Sequence, residues 1–555
     1  MDVEVEVQVE AERHELRRLR PSAAYQRVHE RIASRRRWDR GRLIVAAAAV
    51  LFVLIGAANL ELGPDEARTA LAAREPMAPM GQTFGAWTPG VWPLRVGLAK
   101  IWGILAGGTR SDPGIVRWPD ALAGVAIGLI LSRRAFAKLG EAGGVAVALA
   151  WFGSVALIDR SAQAGVELVT ACCVIGAVDR MIAGKADWVA GGWAALAFLA
   201  GGWPPVAIVL MVNLVLGRTE SWLKPRLLIP PLLVIVGWSV WTLNVAPAGA
   251  WAACLTQPFT MRSSWTLPLT VALLVMPFGP LAALTAFESI RAGWSESGRA
   301  QVLGWLQVAG AATLAGTLIP GVADAARMLA VAGVLVAAGA VSARLWERAE
   351  GATTRRWAYA LAATLAAFWL ALATAAGGYL AFTVAYYRTL AIVVIGLAVV
   401  AAMLAASVAR RNDPRRAALA LVVIAVALKL AHWGYFTPEW NYRRGQGPWG
   451  RAIGRWVPPR WPIYVFHEWP ADLALATDHP VRRVADAKLV EYQSKQSIKF
   501  MLLLADEFAH WPTEGAPSII EVARLQDEHG DERVVARTAG SFSWRDLLWL
   551  EREPF

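Results

Sequence analysis

"LIVAAAAVLFVLIGAANLELGPDEARTALAARE", residues 43–75, is the stretch whose reading decides the fold. Its first part, Leu43 to Leu60, carries no charge. As a helix it is long enough to cross a bilayer core of about 30 Å. The second part turns ionic at once, with Asp65, Glu66, Arg68, Arg74 and Glu75 crowded at the mouth of the apolar run. A cleavable signal sequence does not fit. About 40 residues precede the run, and no small-residue cleavage site followed by a polar mature chain comes after it. The stretch reads as a permanent span that opens into a charged loop.

The rest of the chain repeats the theme. Of its 555 residues 56% are hydrophobic, above the roughly 45–50% of soluble domains. The net charge of +12 raises the possibility of nucleic acid, but its distribution excludes that. Between Arg13 and Arg42 stand eleven arginines against Glu15, Glu30 and Asp39, immediately before the first span. Further basic clusters occupy alternate short loops: Arg133, Arg134 and Lys138; Arg180 and Lys185; Arg218, Lys224 and Arg226; Arg344, Arg348, Arg355 and Arg356; Arg410, Arg411, Arg415 and Arg416. This is the positive-inside pattern of a multi-pass membrane protein, and some of these groups are placed to touch anionic membrane lipids. Cys172, Cys173 and Cys254 have neither metal nor disulfide spacing and read as small packing residues.

The alternation predicts about 13 spans, at 43–61, 118–134, 142–158, 166–183, 188–203, 204–217, 227–244, 266–288, 302–320, 327–344, 357–377, 389–409 and 417–433. An odd count puts the amino terminus in the cytoplasm and the carboxyl terminus outside. Residues 88–108 are long enough to span, but Arg95 and Lys100 would then lie mid-membrane at about 2.5–3.5 kcal/mol each. That segment therefore reads as an interfacial amphipathic helix, with Trp87, Trp92 and Trp102 at headgroup depth. The predicted organisation is a basic cytoplasmic arm (1–42), a transmembrane domain (43–433) with a first external loop at 62–117, and a small extracytoplasmic α/β domain (434–555). In the last, "PIYVFHEW", "VRRVADA", "IKFMLLLAD", "SIIEVARLQ" and "ERVVARTAG" read as strands, "ADLALATDH" and "DEFAHWPTE" as helices or turns, and "DEHGDE" as a hairpin turn.

In the first loop, Gly63-Pro64 breaks the span and Pro64 suits the first position of a new helix. Asp65 and Glu66 then fall in its first turn, where the helix dipole favours acids, and Asp65 and Arg68 share a face. Two readings fit these residues: a well-capped interfacial helix, or a polar cavity at the membrane edge.

"DEARTALAARE" resembles the first external loop of the GT-C superfamily of membrane glycosyltransferases, nearest the branch of lipid A aminoarabinose transferase and the protein O-mannosyltransferases. The similarity lies in an Asp-Glu pair after the first span, an Arg three positions after the Asp, and an Ala-Arg-Glu triplet further on. It extends to "RWPDALAGV" (117–125), where the second span begins, and to "DRSAQAGVELVTACCVIGAVDRM" (159–181), with Glu167 where an acid is expected. The resemblance implies a polytopic helical fold and a bacterial inner-membrane enzyme. It implies an inverting transfer of a sugar from a polyprenyl-phosphate donor to a hydroxyl of a lipid, glycan or protein acceptor. It makes Asp65 the base. Glu66 and Glu167 orient the acceptor or, with Asp65, support a divalent Mg or Mn ion. Arg68, Arg74 and Arg327 become contacts for the donor phosphate.

Three positions depart from the family pattern. Thr88-Pro89-Gly90-Val91 stands where relatives read Lys-Pro-Pro-Leu, Thr69 replaces a common aromatic, and Gly202-Trp203-Pro204-Pro205 replaces a Lys-Gly-Pro element. Trp87 and Trp92 are candidates for stacking on a sugar ring. His432, His467, His479 and His510 lack metal spacing and read as surface or packing residues. The competing readings are a transporter or flippase of a lipid-linked substrate, which predicts paired charges near the bilayer midplane, and a non-catalytic relative that binds polyprenyl lipid.

Overall fold

The computed structural model describes residues 41–55, 64–74, 92–106, 114–160, 167–216 except Ala186, 225–245, 251–252, 255–256, 264–347, 352–411, 415–444, 447–458, 461–466, 471–484, 498–512, 516–526 and 532–539. The predicted basic arm and Glu75, Trp87 and Thr88 lie outside these residues.

Helix α1 (Gly41–Leu54) widens into a π-helical turn at Val50–Leu54. Two short helices follow in the first loop, α2 (Pro64–Arg74) and α3 (Pro93–Ala106). Helix α4 runs over Gly114–Phe152, α5 over Val155–Arg160, α6 over Glu167–Ile182, α7 over Trp188–Gly201, α8 over Trp203–Val215 and α9 over Pro225–Val245. Then come α10 (Leu267–Leu274), α11 (Glu296–Leu318), α12 (Ala323–Trp346), α13 (Ala352–Thr383), α14 (Arg388–Arg411) and α15 (Arg415–Ala431).

Among the described residues five helices are long and apolar enough to cross a membrane, or six if one bent pair counts as a single span, against the thirteen expected. Helices α1, α7 and α8 are apolar but shorter. The predicted pair 118–134 and 142–158 is present as two helical segments of α4 that meet across the non-helical Gly140, whose φ of 78° is open to glycine but strained for other residues. The second of these segments ends early, at Phe152. A Cβ on Gly153 would lie 2.9 Å from the Ala425 Cβ, so α15 presses on the chain there. The predicted span 266–288 is two pieces, α10 and a 3-10 segment at Gly279–Ala286, meeting at 103°. Pro277 and Pro280 lack the N–H groups a continuous helix would need at this corner.

Helix α12 is the axis of the bundle. It is built largely from Ala, Val and Gly and is buried along almost its whole length. Small residues let neighbouring backbones approach. Gly339 shows how closely: a Cβ there would stand 2.6 Å from the Val147 Cα of α4. The opposite surfaces are apolar and open, with Leu233 and Leu243 of α9, Phe382 of α13 and Ile392 of α14 all exposed. Such surfaces suit lipid rather than water.

After α15 a π-helical turn, His432–Phe436, leads through α16 (Thr437–Arg444) and α17 (Gly447–Gly454) into a five-stranded sheet. Its strands are β1 (Ile463–Val465), β2 (Val481–Arg483), β3 (Phe500–Leu504), β4 (Ile519–Gln526) and β5 (Glu532–Thr538). The order is β2-β1-β3-β5-β4, parallel across β2, β1 and β3 and antiparallel beyond. All five predicted strands are present, and β4 and β5 pair as the expected hairpin. Helix α18 (Ala471–Ala476) connects β1 to β2.

Side chains alternate across β3, so the sheet has two covered faces. Phe500 and Leu502 point to a layer made with Ile453 of α17 and Leu473 of α18. Met501 and Leu503 point to Phe508 and Trp511. Ala67, Ala70 and Leu71 of α2 belong to the first layer. The first-loop helix is thus packed on the C-terminal layer. His479 braces that layer: its ring nitrogens lie 3.0 Å from the Trp461 carbonyl oxygen and 3.1 Å from that of Gly454.

Gly339→Leu is expected to destabilise the bundle by about 1–3 kcal/mol, because the clash is with backbone rather than a flexible side chain. Thermal unfolding in detergent checks this. A melting temperature at or above wild type would contradict the packing described for α12.

Candidate active site

Helix α2 buries two faces despite its charges. Ala67, Ala70 and Leu71 meet the C-terminal layer, while Glu66 and Thr69, one turn apart, are buried elsewhere on the helix. Glu66 is only 7% exposed. Its Oε2 accepts a hydrogen bond of 2.9 Å from Nη2 of Arg117, which is itself fully buried at the start of α4. One turn along α4, Asp120 stands 3.6 Å from Nη2 of Arg95 on α3, both side chains buried. The other Asp120 oxygen accepts a 3.3 Å bond from the backbone N–H of Val169. That N–H is among the first four of α6, which no intrahelical carbonyl can satisfy, so Asp120 caps α6 from a neighbouring helix.

Glu167 opens α6 beside this cap, where the helix dipole favours its charge. Arg327 of α12 donates to its Oε1 through Nη1, and Nε of Arg160 at the end of α5 lies 3.4 Å from its Oε2. Arg327 also donates to Asp324 at 2.9 Å. Arg160 Nε lies 3.5 Å from Asp159, whose other oxygen is 3.5 Å from Nε2 of His432. His432 sits on the π-helical turn and packs on Phe436 with ring centroids 4.9 Å apart. Such turns recur at functional sites in helices.

These two groups lie at one end of the bundle, the loop end, which carries α2 and α3. Ion pairs at the opposite, basic end are of another kind. Arg134 donates to Asp179 at 2.7 Å, and Arg180 pairs with Asp187, which caps α7 by accepting from the Ala190 N–H at 3.1 Å. They tie helix ends together.

The expected site residues are placed as follows. Glu167 and Arg327 are in direct contact. Glu66 lies in the neighbouring group, and Arg68 is exposed on α2. Asp65 and Arg74 are on the backbone of α2, and their side chains lie outside the described residues. Trp92 is not an open sugar platform. It is 5% exposed, with ring centroids 5.9 Å from Phe198 and 5.6 Å from Trp238. Gly202 (φ 78°) makes room for it: a Cβ there would lie 2.5 Å from the indole. Helix α3 is present as expected, with Ile104 and Leu105 exposed. Arg95, however, faces inward to Asp120 rather than outward to water.

A divalent ion does not fit the described donors. Both oxygens of Glu167 face guanidinium groups, so a metal there would meet two cations, and no three His, Cys, Asp or Glu groups converge among the described residues. Arg95, Arg117, Asp120, Asp159, Arg160 and His432 carry no role in the sequence reading. Arg117 and Asp120 had a signal, since both fall within "RWPDALAGV". Asp159 and Arg160 had a weaker one, as the charged pair that opens the stretch ending in Glu167 and the fourth span.

No family model matches the sequence, and no curated protein matches it. The fold does have solved counterparts. ArnT from Cupriavidus metallidurans bound to undecaprenyl phosphate is similar with a TM-score of 0.63 at 19% identity, over 89% of this chain and 97% of that one. The apo state of the same protein gives 0.62 at 17% identity over the same shares. The chain therefore shares the helical fold of these ArnT structures.

Arg117→Met would remove the buried ion-pair partner of Glu66, an expected loss of about 3–5 kcal/mol. The double variant Glu66→Leu/Arg117→Met is expected to recover most of it. A double-mutant cycle by thermal unfolding measures this, and additive effects would contradict a coupled buried pair.

Proposed function

We propose that this chain is a membrane glycosyltransferase that moves a sugar from a polyprenyl-phosphate donor to an acceptor hydroxyl at the loop end of the bundle. The observation that carries this reading is the convergence of Arg160 and Arg327 on Glu167 at that end, in a fold shared with a protein solved with undecaprenyl phosphate bound. Apolar surfaces suit lipid and the prenyl chain, and arginines suit the phosphate, which guanidinium holds bidentately. In this reading 62–117 is the catalytic loop, 434–555 an extracytoplasmic unit, and the amino terminus cytoplasmic. The loop end then faces outward in the inner membrane.

In the proposed step a lone pair on the acceptor oxygen forms a bond to the anomeric carbon while the bond from that carbon to the phosphate oxygen breaks, inverting the configuration. The acceptor proton goes to Asp65, and the negative charge left on the phosphate is met by arginines, with Arg327, Arg160, Arg68 and Arg74 as the candidates. Glu167 holds Arg160 and Arg327 in place. Glu66 positions α2, and with it Asp65, through Arg117. Lipid, glycan and protein hydroxyls all remain suitable acceptors. Paired charges near the bilayer midplane, which a flippase would need, do not carry the reading, because the acid–arginine groups described here stand at helix ends.

Transfer of radiolabelled sugar from polyprenyl phosphate in membranes is expected to fall about a hundredfold or more in Asp65→Asn, the range for losing a general base. Unchanged transfer would remove Asp65 from the mechanism. EDTA is expected to leave the rate unaltered; a rate restored only by added Mg²⁺ or Mn²⁺ would show that the acids hold a metal.

A further inference from the structure

Lys429 lies in the last turn of α15 and is only 5% exposed. Its neighbours are set by the helical period. Ala425, one turn earlier, lies against Gly153, where an added Cβ would stand 2.9 Å from the Ala425 Cβ. His432, three residues later, reaches Asp159 on α5. Lys429 therefore lies on the face of α15 turned to the chain at 153–160, three residues, or about 5 Å along the axis, from His432 and its Asp159 contact. Among the described residues no carboxylate or hydrogen-bond acceptor pairs with its ammonium.

Two structural explanations fail. A lysine in a last helical turn often caps the free carbonyls. Here the chain does not stop: it continues through the π-helical turn into α16, and the Thr437 N–H bonds the His432 carbonyl. A buried lysine can also close an ion pair. The nearest acids on its side are already engaged, Asp159 by Arg160 and His432, and Glu167 by Arg160 and Arg327. An uncompensated ammonium in a membrane bundle is costly, and such residues face the interior or a cavity on a ligand path.

We infer that Lys429 binds the phosphate of a lipid-linked ligand, approaching it from the bundle side of the Arg160–Arg327 group. This rests on the function proposed above. The ligand class is a phosphate ester on a long apolar chain. Free phosphate would have to shed its hydration to reach a lysine buried this deep.

The test uses the full chain in nanodiscs and three probes: undecaprenyl phosphate, the uncharged polyprenol, and inorganic phosphate. Lys429→Met is expected to weaken undecaprenyl phosphate binding roughly tenfold to a hundredfold, the equivalent of one charge-assisted hydrogen bond. Polyprenol binding stays unchanged. Lys429→Arg retains the charge and binds within a few-fold of wild type. Because Met removes an uncompensated buried charge, its melting temperature is expected to equal or exceed wild type. A structural lysine would move stability and binding down together, and that result overturns the inference. So does a Lys429→Met protein that is folded and binds the lipid phosphate like wild type. Inorganic phosphate competing at the same concentration as the lipid would overturn the lipid as its source. Wild type that fails to bind undecaprenyl phosphate at all would defeat the proposed function first, which separates the two failures.

Discussion

Glu66 and Arg117 are both withdrawn from water, and their mutual ion pair offsets the cost of burying the two charges. They come from different helices, with the two residues 51 positions apart, so their bond fixes where α2 sits on the bundle. The opposite face of the same short helix is held by Ala67, Ala70 and Leu71 against the C-terminal layer. A helix of eleven residues would be marginal alone. Clamped between an ion pair and an apolar layer, it presents Asp65 in its first turn as part of a fixed frame.

The second charged group depends on the same kind of support. Asp120 satisfies an orphan N–H of α6 and pairs with Arg95, and that helix start carries Glu167. The axial helix α12 brings Arg327 to the same place because its small residues let α4 and α11 lie close. Arg95 in turn follows Trp92, whose seat between Phe198, Trp238 and Gly202 anchors α3. Packing deep in the bundle thus sets the positions of charges at its end, and the proposed chemistry uses those charges.

Much of this was legible from one dimension. The apolar runs, the alternating basic loops and the Pro64 start of α2 are local signals, and the helices and strands they predict are present. The bent pair at 267–286 reads in sequence as one ordinary span, because hydropathy counts apolar residues and does not register a corner. In the site, Glu167 and Arg327 could be named beforehand, but their contact bridges 160 positions and no spacing rule reaches that far. Trp92 reads in sequence first as an interfacial anchor and only second as a surface for a sugar ring, and the structure fills that face: an interfacial aromatic looks the same in sequence whether its face is open or filled.

By itself the sequence determined a chain whose surfaces belong in lipid, a charged loop after the first span, and a strand-bearing C-terminal segment, since composition and period are read residue by residue. Only the tertiary structure decided which acid meets which arginine, that both oxygens of Glu167 face guanidinium groups, and that Lys429 is buried with no described counter-charge. Those facts depend on distances between helices far apart along the chain, and desolvation and Coulomb energies are set by such distances and not by order in the sequence.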